Sequence, residues 1–596
     1  MKAFFKSFFA SLLALIVFGG LGFLLLIGMV AAMGPSTPKV PAKAVLVFDL
    51  SQSIPDSAQD AGPGEAIQKA IQGGGDAGTP LATLIKGLDR AAKDSSISAL
   101  FLTGNVQSAG YASGPAALKE LREAIQRFKA TSGKPVIAYN LGYAKKDLYL
   151  CGGASTVYVH PMGGLDVSGL SAEPMFMAGA FKKYGIEMQI TRVGKYKSAV
   201  EPYFLEKMSD ANREQTQMYL GDIWEEWKTV VALDRKVTPA DIQKLADEKG
   251  EVLSPEALQA KLVDKIANYD EVLDELKKVS GKEAKDKDFP QIEMDTYLKI
   301  PGEAAKGKNR IAVVYAEGEI VDGEGAGNQI GGERLSRELR KLRLDKDVKA
   351  VVFRVNSPGG SASASELIQR ETILLKAAGK PVVVSMGYVA ASGGYWISTY
   401  ADRIFAQPNT ITGSIGVFGT IPNIKKLAND HGITWDSVQT AKLAAPSLSR
   451  PRTTEELARI QTLVDDIYDQ FLGKVAEGRK MKKEAVGEIA QGRVWSGKAA
   501  LKIGLVDEMG GLQDAINHAA KLAKIEGDYK IDAPEAAKEP IEKLLKMLNK
   551  GEKRKLVKAS PVDALKGEFE RTLVMLQSLN DPRGVYARMP FDVNLK

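Results

Sequence analysis

The sequence predicts an α/β protein made of two tandem copies of one domain behind an N-terminal membrane-spanning helix. Three observations carry this. Short β-branched runs (VLVFDL, ALFLTG, PVIAYN, then IAVVYA, AVVFRV, PVVVSM) alternate with helical patterns such as that of residues 116–125. Near-continuous apolar strands between helices indicate a parallel sheet covered on its faces. The whole pattern occurs twice. Finally, from Phe8 to Met33 the only polar side chain is Ser11.

That apolar run exceeds the roughly 20 residues needed to cross a bilayer and the ~7–15-residue core of a cleavable signal peptide. It reads as a signal anchor with a short cytoplasmic tip and nearly all of the mass outside. Lys2 and Lys6 precede it while Lys39 and Lys43 follow, so the positive-inside signal is weak. At 596 residues the chain is too long for one ordinary core. A net charge of +7 over this length is mild. The basic run at 552–558 reads as a solvated helix face rather than a nucleic-acid site. Cys151 is the only cysteine, which excludes an intrachain disulfide and a cysteine cluster for zinc.

The repeat is visible residue by residue. GKPVIAYNLGYA at 133 resembles GKPVVVSMGYVA at 379, and SALFLTGN at 98 resembles KAVVFRVN at 349. STVYVHPMGGLDVSGL at 155 lies over DRIFAQPNTITGSIGV at 402, and YGIEMQITRVGKYKS at 184 lies over HGITWDSVQTAKLAA at 431, both at an offset of 247. The expected division is 1–34 for the anchor, 35–300 and 301–530 for the two copies, and 531–596 for a helical C-terminal tail. The stretch 281–308, rich in Lys, Gly and Pro, reads as a linker.

A duplicated domain supplies its own control, because each copy shows what the fold needs without chemistry. Ser414 lies over Val167, while the flanking Gly416 lies over Gly169, so the turn is kept and the hydroxyl is not. Lys195 lies over Lys442, a match that points to structure. Lys197, two residues on, lies over Ala444. One copy has the serine without the lysine; the other has the lysine without the serine. A serine hydroxyl needs a base before it is a useful nucleophile, and a lysine serves if desolvation or nearby positive charge keeps it neutral. The three histidines are poorer bases: His160 lies over Gln407, His431 over Tyr184, and His518 falls in a late helical stretch.

Acyl transfer also needs donors for an oxyanion. RVNSPGGSASAS at 354–365 turns through Gly359 and Gly360 into a helix, a place where backbone N–H groups lie bare. The first copy has TGNVQSAGYAS there and lacks the paired glycines. Donors and nucleophile thus persist in the same copy.

Together, RVNSPGGSASAS, GYVAASGGYWIS, TGSIGVFG and VGKYKSAVEPY behind a membrane span resemble the long, tandem-domain form of the signal peptide peptidase A family. The resemblance implies two ClpP/crotonase-like domains and a serine peptidase with a Ser–Lys dyad, without metal or cofactor. It carries the nucleophile to Ser414, the base to Lys197 and the oxyanion region to Gly359 and Gly360. It further implies substrates that are cleaved signal peptides and other hydrophobic peptides. It places the chain in the bacterial inner membrane with its catalytic domains on the periplasmic side, as a homotetramer. A hydroxyl that orients the lysine is expected, with Ser437 as a candidate. Ser392, in AASGGYW, is the alternative nucleophile. The rival readings are a crotonase-like acyl-CoA enzyme, which leaves Lys197 and Ser414 without a role, and a catalytically inactive membrane scaffold.

Overall fold

The computed structural model describes Phe18 and residues 38–57, 78–108, 110–302, 307–327, 329–444, 448–533 and 585–589. The expected anchor, apart from Phe18, lies outside these residues. Among the described residues no helix is long and apolar enough to cross a membrane.

The apolar runs become buried parallel strands. In the first copy the sheet order is Lys265–Ile266, Thr156–Val159, Val136–Asn140, Ile97–Thr103, Ala44–Asp49 and Gln291–Glu293, all parallel. In the second, the parallel strands Asn309–Glu317, Val348–Ser357, Val382–Ala391 and Ile411–Gly413 run side by side. Val382–Ala391 is buried along its whole length, as its unbroken apolar character requires in a sheet covered on both faces. Each copy also carries one long helix of 26 residues, Asp210–Arg235 and Thr454–Arg479. Ser209 and Thr453 cap their first turns. Tyr219, Ile223, Trp227 and Val231 form the buried face of one; Val464, Ile467, Phe471 and Val475 form that of the other.

The stretch read as a linker holds one short strand and one short helix. Gln291–Glu293 pairs with Val45–Val47, and the helix Met294–Leu298 buries Met294 and Tyr297. Three apolar side chains spaced through a charged stretch suffice to dock it on the first sheet. The tail expected to be helical contributes strands where it is described: Tyr529–Asp532 on the second sheet and Val585–Arg588 elsewhere.

The copies differ where they meet. Glu187–Arg192 of the first pairs antiparallel with Phe418–Asn423 of the second over six residue pairs. The counterpart of the first strand, 434–439, is strandless and exposed; the counterpart of the other, 171–176, is also strandless, with every second residue exposed. One sheet therefore crosses the junction: Gln329–Gly331, Glu319–Val321, Gly359–Ser361, Val585–Arg588, Phe418–Asn423 and Glu187–Arg192.

Behind this sheet a charge cluster holds the copies together. Arg354, fully buried in the second copy, donates to Asp56 at 2.6 and 2.9 Å and pairs with Glu120 at 2.7 Å, both in the first. Glu120 also accepts from the Leu512 backbone. Glu317 accepts from Ser57, and burial with the nearby Asp56 carboxylate pushes its pKa up to about 7. Removing the cation leaves buried carboxylates uncompensated. Arg354→Met should therefore lose about 3–5 kcal/mol of unfolding free energy, read from urea denaturation at pH 7.5.

Candidate active site

Ser392 and Ser414 stand side by side because the strands that end in them are neighbours. Val382–Ala391 runs into Ser392, and Ile411–Gly413 runs into Ser414. Ala391 pairs with Gly413, and the Ser392 N–H donates to the Gly413 carbonyl at 2.8 Å. Both serines take positive φ, 56° and 49°, at sharp exits from their strands. Such backbone is costly for a residue with a side chain and persists only where its surroundings hold it.

Lys197 reaches these serines from the first copy of the same chain. Its Nζ lies 2.8 Å from Ser392 Oγ, 3.1 Å from Ser414 Oγ and 3.1 Å from the Ser414 carbonyl oxygen. The stem fits because two glycines leave room for it. A Cβ on Gly492 would stand 2.6 Å from Lys197 Cβ, and one on Gly416 would stand 3.2 Å from its Cδ. Gly416 thus serves the lysine as well as the turn. The turn carrying Lys197 is clamped from the long helix Asp210–Arg235: Gln215 donates to the Tyr196 carbonyl, and Ser198 donates to Asn212. Asn212 in turn donates to the fully buried Glu201. Ser198 and Glu201 fall within the VGKYKSAVEPY stretch, whereas Asn212 and Gln215 carry no motif that a sequence read alone would single out.

Lys197 is completely buried. That burial, and next the positive charge of Arg588, hold its pKa well below that of an ordinary lysine. The neutral amine has two N–H groups and one lone pair. One N–H goes to the Ser414 carbonyl, which can only accept. The other N–H and the lone pair are left for the two hydroxyls, so one serine can be deprotonated while the other steadies the amine.

The glycine pair lies differently from the sequence expectation. Gly359–Ser361 is a short strand, and the helix begins only after Ser361, whose hydroxyl caps it. The Gly359 N–H donates to Ser357 Oγ at 3.1 Å. At φ of 97° and 154° neither glycine could carry a side chain, since a Cβ would strike the carbonyls of Ala587 and Ile320. Gly393, immediately after Ser392, faces the same place: its Cβ would stand 3.0 Å from the Ala587 carbonyl oxygen. The sequence signal for it was the AASGG turn.

Other candidates fall away from this cluster. Ser437 sits in the exposed 431–444 stretch and does not orient Lys197; Ser392 occupies that place. His160 accepts from the Met162 N–H, His431 contacts the Leu427 carbonyl, and His518 packs edge-on to Phe405.

The profile of Peptidase family S49 matches residues 129–283 and 375–526, one stretch in each copy. The chain belongs to peptidase family S49. Protease 4 of Haemophilus influenzae is 38% identical over 79% of this chain and 79% of its own. Protease 4 of Salmonella typhi is 38% identical, over 70% and 69% respectively. A chloroplastic serine protease SPPA of Arabidopsis thaliana is 33% identical over 77% of this chain and 68% of its own. A ClpP1 mutant of Listeria monocytogenes covers 34% of this chain at 18% identity, with a TM-score of 0.24 that is too low to carry an argument. This S49 protein is therefore a serine-type protease with two tandem family regions.

Between the lowered pKa of buried Lys197 and ~10.4, the unfolded chain holds a proton that the folded chain lacks, so stability rises with pH across that window. Lys197→Met removes the penalty. The variant should melt above the parent at pH 7, with the gap closing as pH approaches ~10; calorimetry across that range checks it.

Proposed function

We propose that this S49 protein is a membrane-anchored serine endopeptidase that degrades cleaved signal peptides and other unfolded hydrophobic peptides through a Ser414–Lys197 dyad. The observation that carries this is the fully buried lysine within 3.1 Å of the Ser414 hydroxyl. As Ser414 Oγ attacks the peptide carbonyl carbon, Lys197 Nζ takes its proton. The resulting ammonium hands that proton to the departing amine, which leaves a serine ester. Water then attacks the ester, giving its proton to Lys197, and the acid product departs as Ser414 recovers its hydrogen. Gly359 and Gly360 belong to the oxyanion region, with the Gly393 backbone beside them. Ser392 Oγ accepts from Lys197 and points its lone pair toward Ser414.

A second reading exchanges the two serines. It is favoured by the shorter 2.8 Å contact and by the strand–turn–helix setting of Ser392, at φ 56° and ψ −113°. A fluorophosphonate probe decides between them. Label should map to Ser414 alone, vanish in Ser414→Ala and survive in Ser392→Ala; label on Ser392 would establish the exchange. Lys197→Arg should be nearly inactive, because guanidinium does not deprotonate in this range.

The junction supports a ring of chains with alternating contacts, the homotetramer that the resemblance implies. Within a chain, Glu187–Arg192 meets Phe418–Asn423 and brings Lys197 to Ser414. Between chains, 434–439 would meet 171–176, bringing Ala444 to Val167 with neither base nor nucleophile. The exposed Ile433, Trp435 and Val438 suit such burial. Val438→Asp with Trp435→Asp should lower the sedimentation mass toward one chain while probe labelling of Ser414 persists.

A further inference from the structure

The junction sheet has a gap that the chain fills with itself. Gly359–Ser361 and Phe418–Gly419 do not pair with each other; both pair antiparallel with Val585–Arg588. Such a gap, one strand wide with edges on both sides, is how an extended peptide is held by main-chain bonds while its alternate side chains meet separate pockets. Each side chain of the segment has a defined place. Tyr586 lies against Phe418, with ring centres 5.9 Å apart, in a cluster with Tyr203. The Met589 N–H donates to the Pro358 carbonyl, and its side chain packs among Tyr219, Tyr388 and Ile411.

Two features tie this segment to the chemistry. The Ala587 carbonyl oxygen is wedged against Gly359 and Gly393, 2.1 and 3.0 Å from where a Cβ on each would stand. The next side chain, Arg588, is 3% exposed and donates through Nε and Nη2 to Glu319 Oε1 at 3.0 and 2.6 Å. Its charge is also felt at Lys197. The Ala587 carbonyl therefore sits in the glycine notch next to Ser392, where the carbonyl of a bound substrate would be held. A buried guanidinium is tolerated there only because a carboxylate meets it.

We infer that Glu319 forms a subsite for a basic side chain immediately after the bond to be broken, and that Val585–Met589 is a tethered occupant of the same peptide groove. This rests on the peptidase reading above. The class of substrate it selects is an extended peptide with Arg or Lys following a small residue at the cleaved bond. An acidic residue there would face Glu319 unpaired. The chain's own segment competes with such peptides at a fixed, concentration-independent level set by its tether.

The test uses the full-length chain in detergent and two internally quenched peptides that differ at one residue, VYARM and VYAEM within common flanks. The arginine peptide should have a kcat/KM about tenfold higher, the scale of one charge pair in a partly buried site. Glu319→Gln should level the two, and Glu319→Lys should reverse them. Arg588→Glu should lower KM for the arginine peptide severalfold, because the competitor is weakened. Equal turnover of both peptides in the parent, with the same ratio in Glu319→Lys, overturns the subsite. An unchanged KM in Arg588→Glu overturns the tethered competitor. Should that variant fail to fold, hydrogen exchange of Ser414→Ala reads the same point: VYARM should speed exchange at 585–589 and VYAEM should not, and equal exchange with both overturns the proposal. An unlabelled Ser414 with no peptide turned over would instead sink the peptidase reading; labelling and turnover without charge preference sink only this inference.

Discussion

Burial of one lysine amine organises this molecule. Lys197 has no exposed surface, and in that setting an ammonium would be costly, so the amine is driven toward its neutral form. Everything around it serves that end. Gly416 and Gly492 are bare so that its stem can pass. Gln215 and Asn212 fix the turn that carries it, and two strands end in strained serines that absorb its hydrogen-bonding capacity. An amine that is neutral only when buried depends on the copies being docked, since one copy supplies the lysine and the other supplies its walls.

That docking is held by two kinds of force. The strand pair Glu187–Arg192 with Phe418–Asn423 sets the register, because six consecutive pairings admit no slip without turning every side chain to the other face. The Arg354 cluster provides a more selective constraint. A guanidinium shared by Asp56 and Glu120, with Glu317 close by, demands that the two sheets meet in one arrangement. The same charges are costly in any other arrangement. Packing of Gly114 against Tyr388 adds steric exactness, since a Cβ at Gly114 would stand 2.5 Å from the ring.

Duplication explains why the copies diverged as they did. Each inherited the same sheet and long helix, seen in the paired 26-residue helices and in the parallel cores. The cluster of Lys197 with Ser392 and Ser414 draws its lysine from one copy and its serines from the other. Ser414 stands where the other copy has Val167, and Lys197 where the other has Ala444. The strandless stretch around 433–439 keeps apolar side chains on the surface at Ile433, Trp435 and Val438.

The sequence by itself determined the α/β class, the duplication, and the identities of Ser414 and Lys197 as the residues that break the repeat. These are local or periodic properties: strand runs, helical spacing, and mismatches between aligned copies. It did not disclose that Ser392 shares the lysine, that 281–308 holds a strand and a helix, or that Val585–Arg588 completes the junction sheet. Gln215, Asn212, Glu319 and Arg588 were equally hidden. These act through partners in other elements, across 19 residues for Gln215 and Tyr196, 195 for Lys197 and Ser392 and 269 for Arg588 and Glu319. Only tertiary packing decided them, because a hydrogen bond or a buried charge has meaning only once the chain has closed around it.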